Sequence, residues 1–171
     1  KRAVEAVSHA KGRGIRVAFF PVDMTRSDLD YLKRILTAVV KEGHADEIVV
    51  VDTLGVALPE VMYFMTKKIK EWVGVPLHIH CHNDFGLGTA GTLAGIKAGA
   101  EYAHVSVNGL GEKTGNADLA EVALSLRLLY NVDVGIKSEA LSKLSKVVEE
   151  VSGIQLPPGK PVVGVNVFRR E

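Results

Sequence analysis

The chain has one cysteine, Cys81, among its 171 residues, which excludes an internal disulfide and a cysteine-based zinc site. Neither sign of charge dominates. The 21 Lys and Arg and 20 Asp and Glu are interspersed and leave a formal net charge of +1, so there is no basic stripe for nucleic acid and no polybasic patch for a membrane. No apolar run approaches the roughly 18 residues of a membrane span, and no signal peptide opens the chain. The first strand-like run is not followed by a glycine-rich phosphate loop, neither G-x-G-x-x-G nor G-x-x-x-x-G-K-S/T, as a doubly wound nucleotide-binding sheet would require. These absences leave a cytoplasmic enzyme with a small-molecule partner as the expectation. At 47% hydrophobic and 24% charged, the composition suits one sizeable core.

Four apolar, β-branched runs recur: Ile15 to Phe20, Glu47 to Val51, Leu77 to His82 and Tyr102 to Val107. Each precedes a stretch with apolar residues at i, i+3, i+4 and i+7, namely Asp28 to Val40, Leu58 to Val73, Leu87 to Ala98 and Asp118 to Tyr130. Pro59 and Glu60 suit a first helical turn, and Gly43, Gly74 and Gly99 suit helix C-terminal caps. A β-α repeat of this kind makes a parallel α/β sheet. Polar residues follow every strand at the same end: Asp23 to Arg26, Asp52 to Gly55, His80 to Asp84 and Asn108 to Asn116. That gathering predicts a (β/α)8 TIM barrel with four of its eight β/α units present. One further amphipathic helix, Ser138 to Val151, is followed by Gly153 and a Pro157-Pro158-Gly159 loop. The expected division is a half-barrel over 1–130 and the start of a helical linker subdomain over 131–171. Lys1 in place of Met, and four strands whose sheet would have two open edges, predict that the chain belongs to a longer one or needs a partner.

The stretch Leu77-His78-Ile79-His80-Cys81-His82-Asn83-Asp84-Phe85-Gly86-Leu87-Gly88 carries the densest chemistry. Side chains at i and i+2 of a strand leave the same face about 7 Å apart, so His78, His80 and His82 share one face and Cys81 turns to the other as core packing. A histidine on a buried strand is ordinarily a hydrogen-bonded core residue, and His78, one layer deeper, reads that way. His80 and His82 stand at the strand's C-terminal end. Two adjacent imidazoles there compete for protons unless something organises them, and a divalent metal does so directly.

Two motifs carry a family resemblance. Leu77 to Gly88 matches an H-x-H-N/D-D-x-G signature, and Asn108-Gly109-Leu110-Gly111-Glu112-Lys113-Thr114-Gly115-Asn116 matches N-G-I/L-G-E-R/K-x-G-N. With Asp52-Thr53-Leu54-Gly55 and the tail Leu156 to Phe168, these resemble the 2-isopropylmalate, homocitrate and citramalate synthases across essentially the whole chain. The resemblance implies the last four β/α units of a metal-dependent TIM barrel, with His80, His82 and Asn116 as metal ligands and Thr53 where the 2-oxo acid carboxylate is held. It implies a divalent cation (Mg, Mn or Zn), acetyl-CoA as co-substrate, and a homodimer. It places the fourth ligand in a D-R-E motif on a first strand not present here, and the catalytic base outside this chain. Asp84, Glu112 and Lys113 are candidates for the layer behind the ligands; Glu112 and Lys113 read equally well as a surface ion pair on a turn.

One position departs from the pattern, because Val22 stands where the synthases carry a Glu before Asp23. The rival activity is a carbon-carbon lyase or aldolase of the hydroxymethylglutaryl-CoA lyase type, against which the absence of cysteine from the glycine loop weighs. Carboxyltransferase domains of biotin enzymes rank third, and a catalytically incomplete metal-binding fragment is the reading from a different class. Elsewhere His9 and His44 read as solvated, His104 as a satisfied core histidine facing the barrel interior, Trp72 and the Tyr63-Phe64 pair as packing, and Arg169 to Glu171 as a solvated tail.

Overall fold

An apolar run between two charged ends, Glu47–Asp52, is buried at every position and forms the central strand β2. Strands buried on both faces belong to parallel sheets covered by helices, and that is its setting. The computed structural model describes residues 1–169; Arg170 and Glu171, the end of the tail read as solvated, lie outside the described residues. The chain divides into two compact units, Lys1–His104 and Val105–Glu171.

The first unit runs α1 (Arg2–Lys11), β1 (Ala18–Phe19), α2 (Leu29–Lys41), β2, α3 (Pro59–Trp72), β3 (Leu77–Cys81), α4 (Gly88–Lys97) and β4 (Tyr102–His104). Its four strands are all parallel and lie in chain order, β1-β2-β3-β4, as consecutive strands of a barrel do. The expected α/β architecture therefore holds as a partial barrel. Helix starts follow local chemistry. Asp28 caps α2 by accepting the Tyr31 N–H at 2.8 Å, and Pro59 opens α3. The buried stripes Leu32, Leu36, Val39 of α2 and Met62, Met65, Ile69 of α3 join Ile48, Val50, Leu77 and Ile79 in one core. Two glycines bring α4 close to β3: a Cβ on Gly91 would lie 3.2 Å from Cys81 Sγ, and one on Gly95 would lie 2.5 Å from Ile79 Cδ1.

Several boundaries differ from the periodicity. The first strand shrinks to Ala18–Phe19 because β2 begins opposite Ala18, and Asp46 folds back to accept the Val17 N–H at 2.7 Å. The last strand stops at His104, since the chain turns at Val107–Gly109 with Asn108 in a left-handed conformation (φ 62°). Apolar periodicity does not announce α1, which buries only Val7 and has no side-chain N-cap. Trp72 packs on the core as expected, whereas Phe64 remains 45% exposed. His9 and His44 are exposed.

The second unit holds α5 (Leu119–Leu129) and α6 (Leu141–Ser152). Asp118 caps α5 by accepting the Ala120 and Glu121 N–H groups, and α6 ends on Gly153 at φ 71°. Among the described residues no helix is long and apolar enough to cross a membrane.

Cys81 faces the helices, as its alternation with the histidines requires, and is 2% exposed. Burial pushes its thiol up to about 12, against a hydrogen bond with Thr92 and with a smaller contribution from the Asp52 charge. At pH 8 a thiol of that kind is about one part in ten thousand thiolate. A disulfide reagent is thus expected to leave the native protein's Cys81 unlabelled over an hour and to label it once guanidinium unfolds the chain, as followed by thiol absorbance; rapid native labelling would contradict this burial.

Candidate functional site

The register of the sheet decides which side chains meet. Val49 pairs with His78 and Val51 with His80, while His78 pairs with Tyr102 and His80 with His104. By the two-residue period of strands, Glu47, His78, His80, His82, Tyr102 and His104 thus share one face, opposite the helices, and Phe20 joins them from the end of β1. His80 and His82 lie at the C-terminal end of β3 with ring centres 5.2 Å apart and planes tilted by 60°. His82 is buried, and its N–H donates to the Asp52 carbonyl at 3.2 Å. Phe20 meets the His80 ring edge-on at 5.0 Å.

Behind this pair the face is polar where a barrel interior is ordinarily filled by branched aliphatics. His80 Nδ1 lies 3.2 Å from His104 Nδ1, and His104 Nε2 lies 2.9 Å from His78 Nδ1. His78 Nε2 is 3.3 Å from Oε2 of the buried Glu47, whose Oε1 accepts from Arg16 at 2.5 Å. That carboxylate raises the Arg16 guanidinium above its usual range. Burial, then the neighbouring His78, holds His104 below the usual imidazole value and so favours its neutral form. The sequence pattern alone presents His78 and His104 as separate core histidines and passes over Glu47. The signal that could have found them is a shared period: Glu47 is two residues before Val49, the position that pairs with His78.

The loops after the strands are laced together. Thr53 Oγ1 accepts the Asp23 N–H at 2.7 Å, which fixes the turn after β1 to the end of β2. Asp23 is held below the usual carboxylate range by Arg26, whose guanidinium it binds through both oxygens. Val22, the position that departs from the synthase pattern, is 69% exposed. Gly55 (φ 65°) lies so close to Asp84 that a Cβ there would stand 2.6 Å from the Asp84 backbone nitrogen. Asp84 is thereby seated against the loop bearing Thr53.

In the second unit, Asn116 closes the Asn108–Asn116 loop, its N–H donating to the Gly109 carbonyl at 3.0 Å. Gly115 (φ 101°) permits this closure, because a Cβ there would run into the Gly109 carbonyl oxygen. Asn108 donates to the Ser145 carbonyl at 3.0 Å and accepts from its hydroxyl at 2.6 Å, so α6 clamps the loop. Lys160 reaches Asp118 Oδ2 at 3.1 Å and Glu121 Oε1 at 2.6 Å. Burial opposes its charge, yet those carboxylates outweigh it and raise the amine. Glu112 and Lys113 are exposed on the turn, with Lys113 at φ 58°.

Among the described residues no group of three or more His, Cys, Asp or Glu is disposed to hold a metal ion. Two imidazoles are suitably spaced to share one. Rings that ligate one ion at about 2.1 Å from each nitrogen hold their centres about 4.5–5.5 Å apart, and His80 and His82 stand 5.2 Å apart. The donors present therefore fit a divalent ion that draws its other ligands from elsewhere.

A parallel β/α sheet with its strands in chain order and polar side chains gathered at their C-terminal ends defines a partial (β/α) barrel. Residues 1–148 match the HMGL-like family model, and the chain belongs to the HMGL-like family. It is 48% identical over 172 residues to a protein of Ignicoccus hospitalis named "Probable 2-isopropylmalate synthase", covering 100% of this chain and 43% of that protein. Homocitrate synthase AksA of Methanopyrus kandleri is 43% identical over 171 residues, 100% of this chain and 43% of its own. The chain thus spans less than half the length of these curated relatives. The carboxyl transferase domain of Rhizobium etli pyruvate carboxylase shares the fold at a TM-score of 0.76 and 20% identity, over 87% of this chain and 26% of that one.

Proposed function

We propose that residues 1–130 are the C-terminal half of a (β/α)8 catalytic barrel and residues 131–171 the start of a helical linker, in a cytoplasmic, homodimeric acyltransferase. The full-length protein condenses acetyl-CoA with a 2-oxo acid and, with water, releases CoA and a 2-hydroxy dicarboxylate. The observation that carries this reading is the His80–His82 pair at the end of β3, spaced to share one ion. Relatives named as probable 2-isopropylmalate synthase and homocitrate synthase support the choice of reaction.

His80 and His82 are proposed as two ligands and Asn116 as a third, with the remainder supplied from outside this chain. A divalent Mg, Mn or Zn ion bound there would polarise the ketone of the 2-oxo acid as a Lewis acid. Thr53 is proposed to hold the acid's carboxylate, on a turn that its contact with Asp23 keeps in place. Asp84, Glu112 and Lys113 support the two ligand-bearing loops. Phe20 presents an apolar wall beside His80, 40% exposed, and Val22 adds a second exposed apolar side chain on the same turn.

The test is release of CoA thiol by the full-length protein given acetyl-CoA, a divalent metal and a panel of pyruvate, 2-oxoisovalerate and 2-oxoglutarate. Release with one acid, absent without metal, is the expected result. No release with any acid, together with metal-dependent cleavage of a hydroxyacyl-CoA, would replace the synthase reading with a lyase.

A further inference from the structure

Behind the imidazole pair the polar side chains form one continuous line, from the exposed Arg16 through the buried Glu47 and the half-buried His78 and His104 to His80, running from the N-terminal ends of the strands toward their C-terminal ends. We infer that Glu47, His78 and His104 are positioning residues that hold His80 as the neutral Nδ1–H tautomer, with its Nε2 lone pair presented to a divalent cation. The inference rests on the reading of His80 as a metal ligand.

Direction along the line is set from both ends. An ionised carboxylate only accepts, so the charge of Glu47 favours a proton on His78 Nε2, 3.3 Å away. That nitrogen has no fully formed hydrogen bond, and the carboxylate acts on it through charge at short range. With the ring proton placed on Nε2, Nδ1 of His78 offers its lone pair to His104 Nε2 at 2.9 Å. His104 in turn offers the lone pair of Nδ1 to His80 at 3.2 Å, which places a hydrogen on His80 Nδ1. From the other end, an imidazole that ligates through Nε2 keeps its proton on Nδ1. Both requirements give the same tautomer at every ring.

The rings are also fixed in orientation. His78 stacks on Tyr102 at 4.3 Å, and Phe20 meets His80 edge-on at 5.0 Å and stacks on His104 at 6.2 Å. Arg16 occupies the other oxygen of Glu47, which keeps that carboxylate aimed inward. An outer partner of a ligating imidazole ordinarily changes metal affinity by about 10–100-fold when removed. This line supplies such a partner three residues deep.

Two measurements on the full-length protein decide it. Long-range 1H–15N spectra of 15N-histidine-labelled, metal-free protein are expected to show His80, identified by its loss in His80→Gln, as the Nδ1–H tautomer. Glu47→Gln is expected to shift it toward Nε2–H. Calorimetric titration with Mn2+ is expected to give about 10–100-fold weaker binding for His104→Phe, and binding within about 3-fold of wild type for His104→Asn, whose amide oxygen still accepts. A merely structural role would move neither the tautomer nor the difference between Phe and Asn. An Nε2–H tautomer at His80 in the wild type, or equal affinity of the His104→Phe variant and wild type, overturns the inference. If His104→Phe does not fold, the tautomer in Glu47→Gln decides. A wild-type protein that binds no ion, yet keeps a Glu47-dependent Nδ1–H tautomer, would remove the metal reading and leave the orienting line standing.

Discussion

In the full-length protein, His80→Ala and His82→Ala are each expected to lower kcat/KM for CoA release by about a thousandfold or more, while His9→Ala stays within about twofold of wild type. The magnitude follows from the chemistry assigned to the pair. An ion that polarises a ketone supplies several kcal/mol of stabilisation to the developing charge, and about 4 kcal/mol corresponds to a thousandfold in rate. With its two imidazoles held at a ring separation of 5.2 Å, one strand end would supply two ligands of the four proposed, so losing either would remove a quarter of that set. His9 is the suitable control because it is exposed on α1 and lies outside the line of side chains behind His80. A second readout separates binding from chemistry: an ion at a hundred times its dissociation constant stabilises the folded protein by about 2.7 kcal/mol. The wild-type melting temperature is therefore expected to rise with added Mn2+, and those of the two alanine variants are not. Full turnover by either variant would sink the assignment of the pair.

Legibility in the sequence followed how local the determining physics was. The order of β/α units was readable because each helix carries its own stripe, as Leu32, Leu36 and Val39 do on α2, and its own start, as Asp28 and Pro59 do. The face shared by His78, His80 and His82, and the opposite face of Cys81, were readable from alternation alone. Strand ends were not, because they depend on partners. Ile15 to Val17 are as β-prone as Ala18–Phe19, yet β2 begins opposite Ala18, so no β2 residue stands in register with them. Register between strands was equally hidden, and it is register that lines up Glu47, His78 and His104 behind His80. The loops were readable as motifs but not as contacts. The approach of Gly55 to Asp84, and the clamp of Ser145 on Asn108, join residues far apart in the chain.

The seating of the histidine strand on α4 gives the second large effect, because Gly95 there is replaced at a cost that normal helix propensity would not suggest. On an open helix Gly→Ala stabilises by about 0.4–1 kcal/mol. In Gly95→Ala the added methyl would lie 2.5 Å from Ile79 Cδ1 and 2.6 Å from Cγ1, so α4 and β3 must separate or Ile79 must leave its rotamer. Overpacking of this kind costs about 1–3 kcal/mol, which outweighs the gain in propensity. Ile79 itself is fully buried, and Ile79→Ala is expected to cost about 2–5 kcal/mol through lost burial and the cavity left behind. The double variant is the decisive one. Truncating Ile79 removes the two atoms that the new methyl at position 95 would strike, and that methyl fills part of the cavity. Urea denaturation of the four proteins in the cycle is expected to show the double variant more stable than the sum of the single losses by about 1–3 kcal/mol. Simple additivity would mean that α4 and β3 yield at this contact, and then the histidines that Ile79 separates, His78 and His80, would not be held by the close approach of the helix beneath them.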